Sequence, residues 1–209
     1  MSAAAPEATV LMLETPYGVA RVHVMRPGDP RGALVLGHGA GGGVTAPDLV
    51  LAARTAFAQG VTVVLSEQPY RVMGRRSPAP APHLDVAWAS VLAQLSEGPL
   101  AGLPIVTGGR SSGARVACRT CAEVGAVGVL CLAFPLLAPR RRDGTRPTRL
   151  PELDAVEVPV LIIQGTNDPF GMPPAAPGRT VVEVAGDHSL RKDRPAIAAA
   201  VRDWLTARF

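Results

Sequence analysis

Aromatic residues make up only 4% of this 209-residue chain, and Lys192 is its single lysine. A nucleic-acid surface needs basic side chains interleaved with aromatics on which bases can stack. The formal charge of +4 comes almost wholly from arginine and lacks that partner residue type, so no nucleic-acid partner is expected. An arginine-for-lysine bias is produced by genome base composition as readily as by chemistry. No apolar run approaches the roughly 20 residues a membrane span requires. The opening segment MSAAAPEATV has neither the basic n-region nor the apolar h-region of an export signal. A soluble, cytoplasmic protein with no membrane partner is therefore expected.

Cysteine is also scarce. Cys118, Cys121 and Cys131 are an odd number, which does not suit a disulfide framework, and they are expected to be reduced. Cys118 and Cys121 form a CxxC, but no second ligand pair accompanies it, as a zinc site would need. They fall in a stretch of small helical residues and read as buried filler. No metal and no organic cofactor is expected.

What is present is the composition of a folded protein, 47% hydrophobic and 18% charged. The length suits one domain spanning residues 1–209. Short β-branched runs predict eight strands: Thr9–Leu13, Ala20–Val24, Ala33–Leu36, Val61–Leu65, Pro104–Thr107, Val127–Leu132, Val160–Ile163 and Thr180–Val184. Turn-like residues Glu14 to Gly18 make the first two an antiparallel hairpin, and the later spacings leave room for crossover helices. A helix is expected between Pro47 and Gly60. Between Pro82 and Gly98, Leu84, Trp88, Val91, Leu92 and Leu95 fall on one helical stripe, and Ile197, Val201, Trp204, Leu205 and Phe209 repeat the pattern at the C-terminus. Trp88 and Trp204 read as core, and Glu67 to Pro82 and Pro135 to Pro151 read as loops. The class is thus α/β, a mostly parallel sheet with helices on both faces, with chemistry expected beyond the carboxyl ends of the strands.

At one such end stands Gly109-Arg110-Ser111-Ser112-Gly113, between a predicted strand and a predicted helix. This is the context of a nucleophile elbow, where a side chain at either flanking position would collide with neighbouring backbone. Ser111 would lie at a helix N-terminus, with the Ser112 amide as an oxyanion donor. A serine hydroxyl needs a histidine to take its proton and a carboxylate to hold that histidine. Downstream of Ser111 the only histidine is His188, after the last predicted strand, and Asp168 follows the strand before it. The adjacent Asp187 is poorly placed to reach back to the imidazole, and Asp143 and Asp154 sit by an arginine-rich loop where solvated ion pairs are common. The loop Gly37-His38-Gly39-Ala40-Gly41-Gly42-Gly43 resembles an HGGG-type oxyanion loop, with the Ala40 amide as second donor. A phosphate-cradling loop is also glycine-rich, but no GxxxxGK[ST] is present.

GHGAGGG, GGRSSGAR, QGTNDPFG and GDHSL together resemble the α/β-hydrolase superfamily over almost the whole chain. With PYRVMGRRSPAPAP and FPLLAPRRR, the chain is similar to the compact dienelactone-hydrolase-like proteins related to the hydrolase-like domain of the NSL chromatin complex. Dienelactone hydrolases use a cysteine nucleophile where this chain has Ser111, so that reaction does not carry over. The resemblance implies an eight-stranded α/β-hydrolase fold, and the short segment between the sixth and seventh strands leaves no room for a helical cap. The function expected is a carboxylesterase-like serine hydrolase cleaving an ester or related acyl bond of a small molecule through an acyl-enzyme. His38, Arg71 and Arg110 are candidate substrate contacts. Arg71, Arg75, Arg76, Arg140, Arg141 and Arg142 form either a solvated basic rim or a surface for an anionic substrate or partner. The alternative is a non-catalytic module of the same fold that binds partners through these arginine loops.

Overall fold

A computed structural model describes residues 8–209; most of the opening segment MSAAAPEATV lies outside them. The strands are β1 (Thr9–Thr15), β2 (Gly18–Met25), β3 (Ala33–Gly37), β4 (Thr62–Glu67), β5 (Ile105–Arg110), β6 (Gly128–Leu132), β7 (Val160–Gly165) and β8 (Arg179–Val184). They form one sheet in the order β1-β2-β4-β3-β5-β6-β7-β8. β1 and β2 pair antiparallel, as do β2 and β4, and every later pairing is parallel. This is the mostly parallel α/β sheet that the strand signals imply, in the order that the resemblance to α/β-hydrolases implies.

Alternation along each strand sends side chains to opposite faces. Leu34 and Leu36 of β3 join Leu130 and Leu132 of β6 in a cluster covered by α1 (Pro47–Phe57) and α6 (Arg194–Thr206). Ala33 and Val35 face the other way, beneath α3 (Ala81–Glu97), and α4 (Ser112–Thr120) covers Val129 and Cys131 on that side. Because both faces are packed, β3 and β6 are buried along their whole length, as central parallel strands are. On α3 the stripe Leu84, Trp88, Val91, Leu92 and Leu95 is buried as its spacing predicts. Trp204 is only partly buried, stacked beneath the Arg208 guanidinium at 5.2 Å from the ring centroid. Core burial, expected for both tryptophans, therefore holds for Trp88 alone.

Two regions expected to be loops each carry or adjoin a short helix, α2 (Pro69–Val72) and α5 (Leu150–Asp154). Proline in the first turn of each supplies a helical φ and no amide that needs a partner. Strand signals on both sides conceal so short an element in sequence. The remainder of 133–149 forms a loop closed by the Leu137–Thr148 bridge, with Arg140, Arg141 and Arg142 exposed at its tip. All three thiols are free and buried; Cys118 lies on α4 with its sulfur 3.6 Å from that of Cys131.

Successive connections diverge around β3 and β5: α1 leaves β3 toward one face, and α4 leaves β5 toward the other. The backbones approach so closely here that a Cβ on Gly113 would overlap the Gly37 carbonyl, and one on Gly109 would overlap both Gly37 and Gly113. No flexible side-chain end can yield at these contacts. Gly113→Ala is expected to destabilise the protein by about 1–3 kcal/mol, lowering the melting temperature by about 2–4 °C per kcal/mol. Gly41→Ala, with nothing within 4 Å of the added carbon, should melt like wild type; equal melting of the two variants in a thermal scan would contradict the packing argument.

Candidate active site

Ser111 sits at the turn between β5 and α4 with φ 53° and ψ −108°, a conformation that non-glycine residues rarely adopt. Such a residue stores about 1–3 kcal/mol of strain. Its amide donates to the Leu132 carbonyl at 2.9 Å, and its own carbonyl accepts the Arg115 amide at 3.2 Å, so the turn is fastened on both sides. The side chain consequently projects beyond the carboxyl edge of the sheet.

His188 Nε2 lies 3.0 Å from Ser111 Oγ, and its Nδ1 lies 2.7 Å from Asp168 Oδ2. The structure thus brings together three residues from the ends of β5, β7 and β8, separated in sequence by 77 and 20 positions along this chain of contacts. The Asp168 side chain is 1% exposed. Its Oδ1 accepts the Phe170 amide at 2.8 Å, and its Oδ2 also accepts from Gln164 Nε2 at 2.8 Å. Gln164 is fully buried at the end of β7 and donates further to the carbonyls of Phe134 and Gly171. Sequence reasoning passed over Gln164; a buried amide on an apolar strand, four residues before the candidate acid, was the available signal. Asp187 bonds instead to the amide and hydroxyl of Ser189, which hold its carboxyl below the usual range. Phe170 packs against the His188 ring with centroids 4.7 Å apart.

The oxyanion candidates lie beside this chain of bonds. Ser112 is the first residue of α4, whose leading amides have no intrahelical partner. In the glycine loop, the Gly39 carbonyl accepts from His38 Nδ1 at 2.8 Å and from the Gly42 amide at 3.2 Å. Because the peptide is trans, this turns the Ala40 N–H to the opposite side. Tyr70 Oη donates to the Ala40 carbonyl at 2.9 Å and fixes the next peptide too. Burial pushes the Tyr70 hydroxyl up to about 12, so it remains a donor.

Two of the candidate substrate contacts have protein partners. His38 is 3% exposed, and its Nε2 accepts the Gln68 amide at 3.1 Å, which leaves the proton on Nδ1 for Gly39. Both ring nitrogens are occupied in bracing the loop. Arg110, expected to touch substrate, directs its guanidinium to Asp48 and to the backbone of His188 instead. Arg71 lies partly exposed on α2, while Arg75 and Arg76 are exposed beyond it, in keeping with a solvated rim. Among the described residues, no group of three or more His, Cys, Asp or Glu side chains could hold a metal ion, and no helix is long and apolar enough to cross a membrane.

A family model described as an alpha/beta hydrolase domain matches residues 30–196. No match was found among curated proteins. Among solved structures, the fold is similar to that of an α/β serine hydrolase without lid from Xanthomonas campestris, at 20% identity with 98% of either chain covered and a TM-score of 0.71. It is also similar to a dienelactone hydrolase from Anabaena variabilis, at 16% identity, covering 98% of this chain and 99% of that one, with a TM-score of 0.75. A Pyrococcus furiosus esterase matches at 13% identity over 96% of this chain and 90% of its own, with a TM-score of 0.76.

Burial holds the His38 imidazole below its usual value, outweighing the Gly39 hydrogen bond, and the nearby Arg71 charge adds to the lowering. As pH falls below about 6.5, the unfolded chain takes up a proton that the folded chain refuses, so this site lowers stability until the pH passes the folded value. Denaturant midpoints at pH 7.5 and 5.5 should therefore fall further apart in wild type than in His38→Gln; equal gaps would show that His38 contributes nothing to acid sensitivity.

Proposed function

The chain belongs to the alpha/beta hydrolase domain family, and on that premise we propose that it is a cytoplasmic, one-domain serine hydrolase that cleaves an ester or related acyl bond of a small molecule. The observation that carries this reading is the unbroken hydrogen-bond chain from Ser111 Oγ through both nitrogens of His188 to Asp168.

In this mechanism His188 Nε2 takes the Ser111 proton as Oγ attacks the substrate carbonyl carbon. Asp168 accepts a hydrogen bond from the Nδ1–H of His188 without taking the proton, which fixes the tautomer with a free Nε2 and stabilises the imidazolium that forms. Gln164 and the Phe170 amide keep that carboxylate aimed at the ring. The tetrahedral oxyanion is received by the amides of Ser112 and Ala40, aided by the positive end of α4. The imidazolium then protonates the departing alkoxide, and the acyl group stays on Ser111. Water attacks this ester with His188 again as base, releasing acid and restoring the serine. No proton or electron is left over, and the cycle draws on no cofactor.

The segment between β6 and β7 holds only the short α5 and the loop before it, so substrate reaches Ser111 through an open mouth. The likeness to a hydrolase described as lacking a lid supports that reading. Phe170, packed on the imidazole, would form one apolar wall, and the arginine rim favours acyl substrates bearing negative charge.

A fluorophosphonate should add one adduct to wild type by intact mass, and none to Ser111→Ala or His188→Ala. Asp168→Asn should retain the fold yet slow hydrolysis of an activated acetate ester by about 10³–10⁴-fold, since an amide selects the wrong imidazole tautomer. Folded wild type that takes no adduct would reject the hydrolase reading in favour of a binding module.

A further inference from the structure

Arg110 stands between the two glycines of the elbow and immediately before Ser111, yet its side chain is largely buried beside Asp48. Its Nε lies 2.8 Å from Asp48 Oδ2, and its Nη2 donates to the backbone carbonyl of His188 at 2.9 Å. On another side Nη1 is only 3.0 Å from the place a Cβ on Gly39 would occupy. One planar group therefore touches the first turn of α1, the glycine loop and the segment that carries His188. A guanidinium that meets a carboxylate by charge on one side and donates a hydrogen bond to a carbonyl on another cannot turn without losing one of the two contacts.

Asp48 is suited to hold it. Its side chain is 0% exposed, and Oδ1 is occupied by the Leu49 amide at 3.0 Å. An isolated carboxylate would not remain charged at such a depth, and the Arg110 cation opposes the burial that raises its pKa. Removing either partner leaves the other buried without its countercharge. The Arg110 side chain is itself only 19% exposed, so water screens the pair weakly.

On the side of His188 the need is geometric. Asp168 orients the imidazole at Nδ1, but a side-chain bond does not fix where the backbone stands relative to the elbow. The segment after β8 places Asp187 at the surface and turns back through the Leu190 amide to the Asp187 carbonyl. Among the described residues, Arg110 is the group that bonds the His188 carbonyl, and it issues from the residue next to Ser111. The two ends of the Ser111–His188 hydrogen bond are thus tied by a second route, from the residue before Ser111 to the His188 backbone.

We propose that Arg110, held by the buried Asp48, is a positioning residue that sets the separation of Ser111 Oγ and His188 Nε2 by fixing the His188 backbone. The proposal rests on the serine-hydrolase reading for its kinetic consequence and on the geometry alone for its structural one. It predicts that the residue between Gly109 and Ser111 governs the rate of acylation, not the binding of substrate.

The test compares wild type with Arg110→Gln, Arg110→Lys, Asp48→Asn and the double variant Asp48→Asn/Arg110→Gln. Fluorophosphonate labelling over a concentration series yields a maximal rate and a half-saturating concentration. The downfield proton resonance of His188 Nδ1–H, assigned by its loss in His188→Ala, reports the His188–Asp168 geometry without any reaction, and thermal unfolding reports the folded fraction. A misplacement of about 1 Å at a reacting pair costs about 100-fold in rate. Arg110→Gln should therefore lose about 10- to 100-fold in maximal rate at unchanged half-saturation, with a shifted or broadened resonance. Arg110→Lys, which reaches one contact but not both, should fall between, and added guanidinium should restore part of the Arg110→Gln rate. Asp48→Asn should slow labelling too, and the double variant should be no slower than Arg110→Gln, because both act through one guanidinium.

Wild-type rates and an unchanged resonance in folded Arg110→Gln would overturn the proposal. A raised half-saturating concentration at full maximal rate would also overturn it, by making Arg110 a substrate contact. So would a loss no greater than the unfolded fraction. Wild type that takes no label would reject the hydrolase reading instead, and the resonance would still decide the role of Arg110.

Discussion

Three stretches of backbone meet at the carboxyl ends of β3 and β5 with no space between them for a side chain. Gly37 ends one strand, Gly109 precedes the turn out of the other, and Gly113 lies in the first turn of the helix that follows; a Cβ on Gly109 or Gly113 would overlap the Gly37 peptide. This contact draws α4 tightly under the glycine loop and forces the chain to reverse within one residue. Ser111 is that residue, and its positive φ is the local expression of the constraint. The strain persists because the Leu132 carbonyl and the first turn of α4 hold both sides of the residue.

From that point the site is assembled by polar groups that the sheet brings to one edge. Parallel strands deliver the loops after β5, β7 and β8 to the same side, and each side chain is then braced by a buried partner. Gln164 holds Asp168, Asp168 holds His188, and His38 and Tyr70 hold the two peptides around Gly39 and Ala40. These bracing residues are buried or nearly so, and bonds made in such surroundings resist competition from water. The exposed arginines differ from them. Arg140, Arg141 and Arg142 are exposed at a loop tip, where solvent screens each charge, and among the described residues Arg140 donates only to the Gly144 carbonyl of the same loop.

The same reasoning separates two kinds of arginine. Arg110 and Arg149 are drawn inward by backbone carbonyls, Arg149 donating to Pro135 at 2.8 Å, whereas the rim residues keep their charge in water. A string of arginines in sequence carries no mark of this division. It depends on whether a carbonyl or carboxylate from a distant segment lies within reach.

The sequence by itself determined the strands and the principal helices, because period-two and helical apolar patterns are local properties of the chain. It also marked Ser111, Asp168 and His188 as candidates, since the chemistry of acyl transfer demands those residue types and the motifs place each after a strand. Resemblance to α/β-hydrolases supplied the topology, and the family match agrees with it. The sequence could not distinguish a histidine or arginine that meets substrate from one that braces a loop. His38 and Arg110 looked like ligands of the site, but only the tertiary structure places Gln68, Asp48 and the His188 carbonyl against them. It likewise gave Gln164 its task. Residue type and spacing record what a side chain is able to do, whereas the partner it meets is fixed by contacts between segments far apart in the chain, which no local pattern encodes.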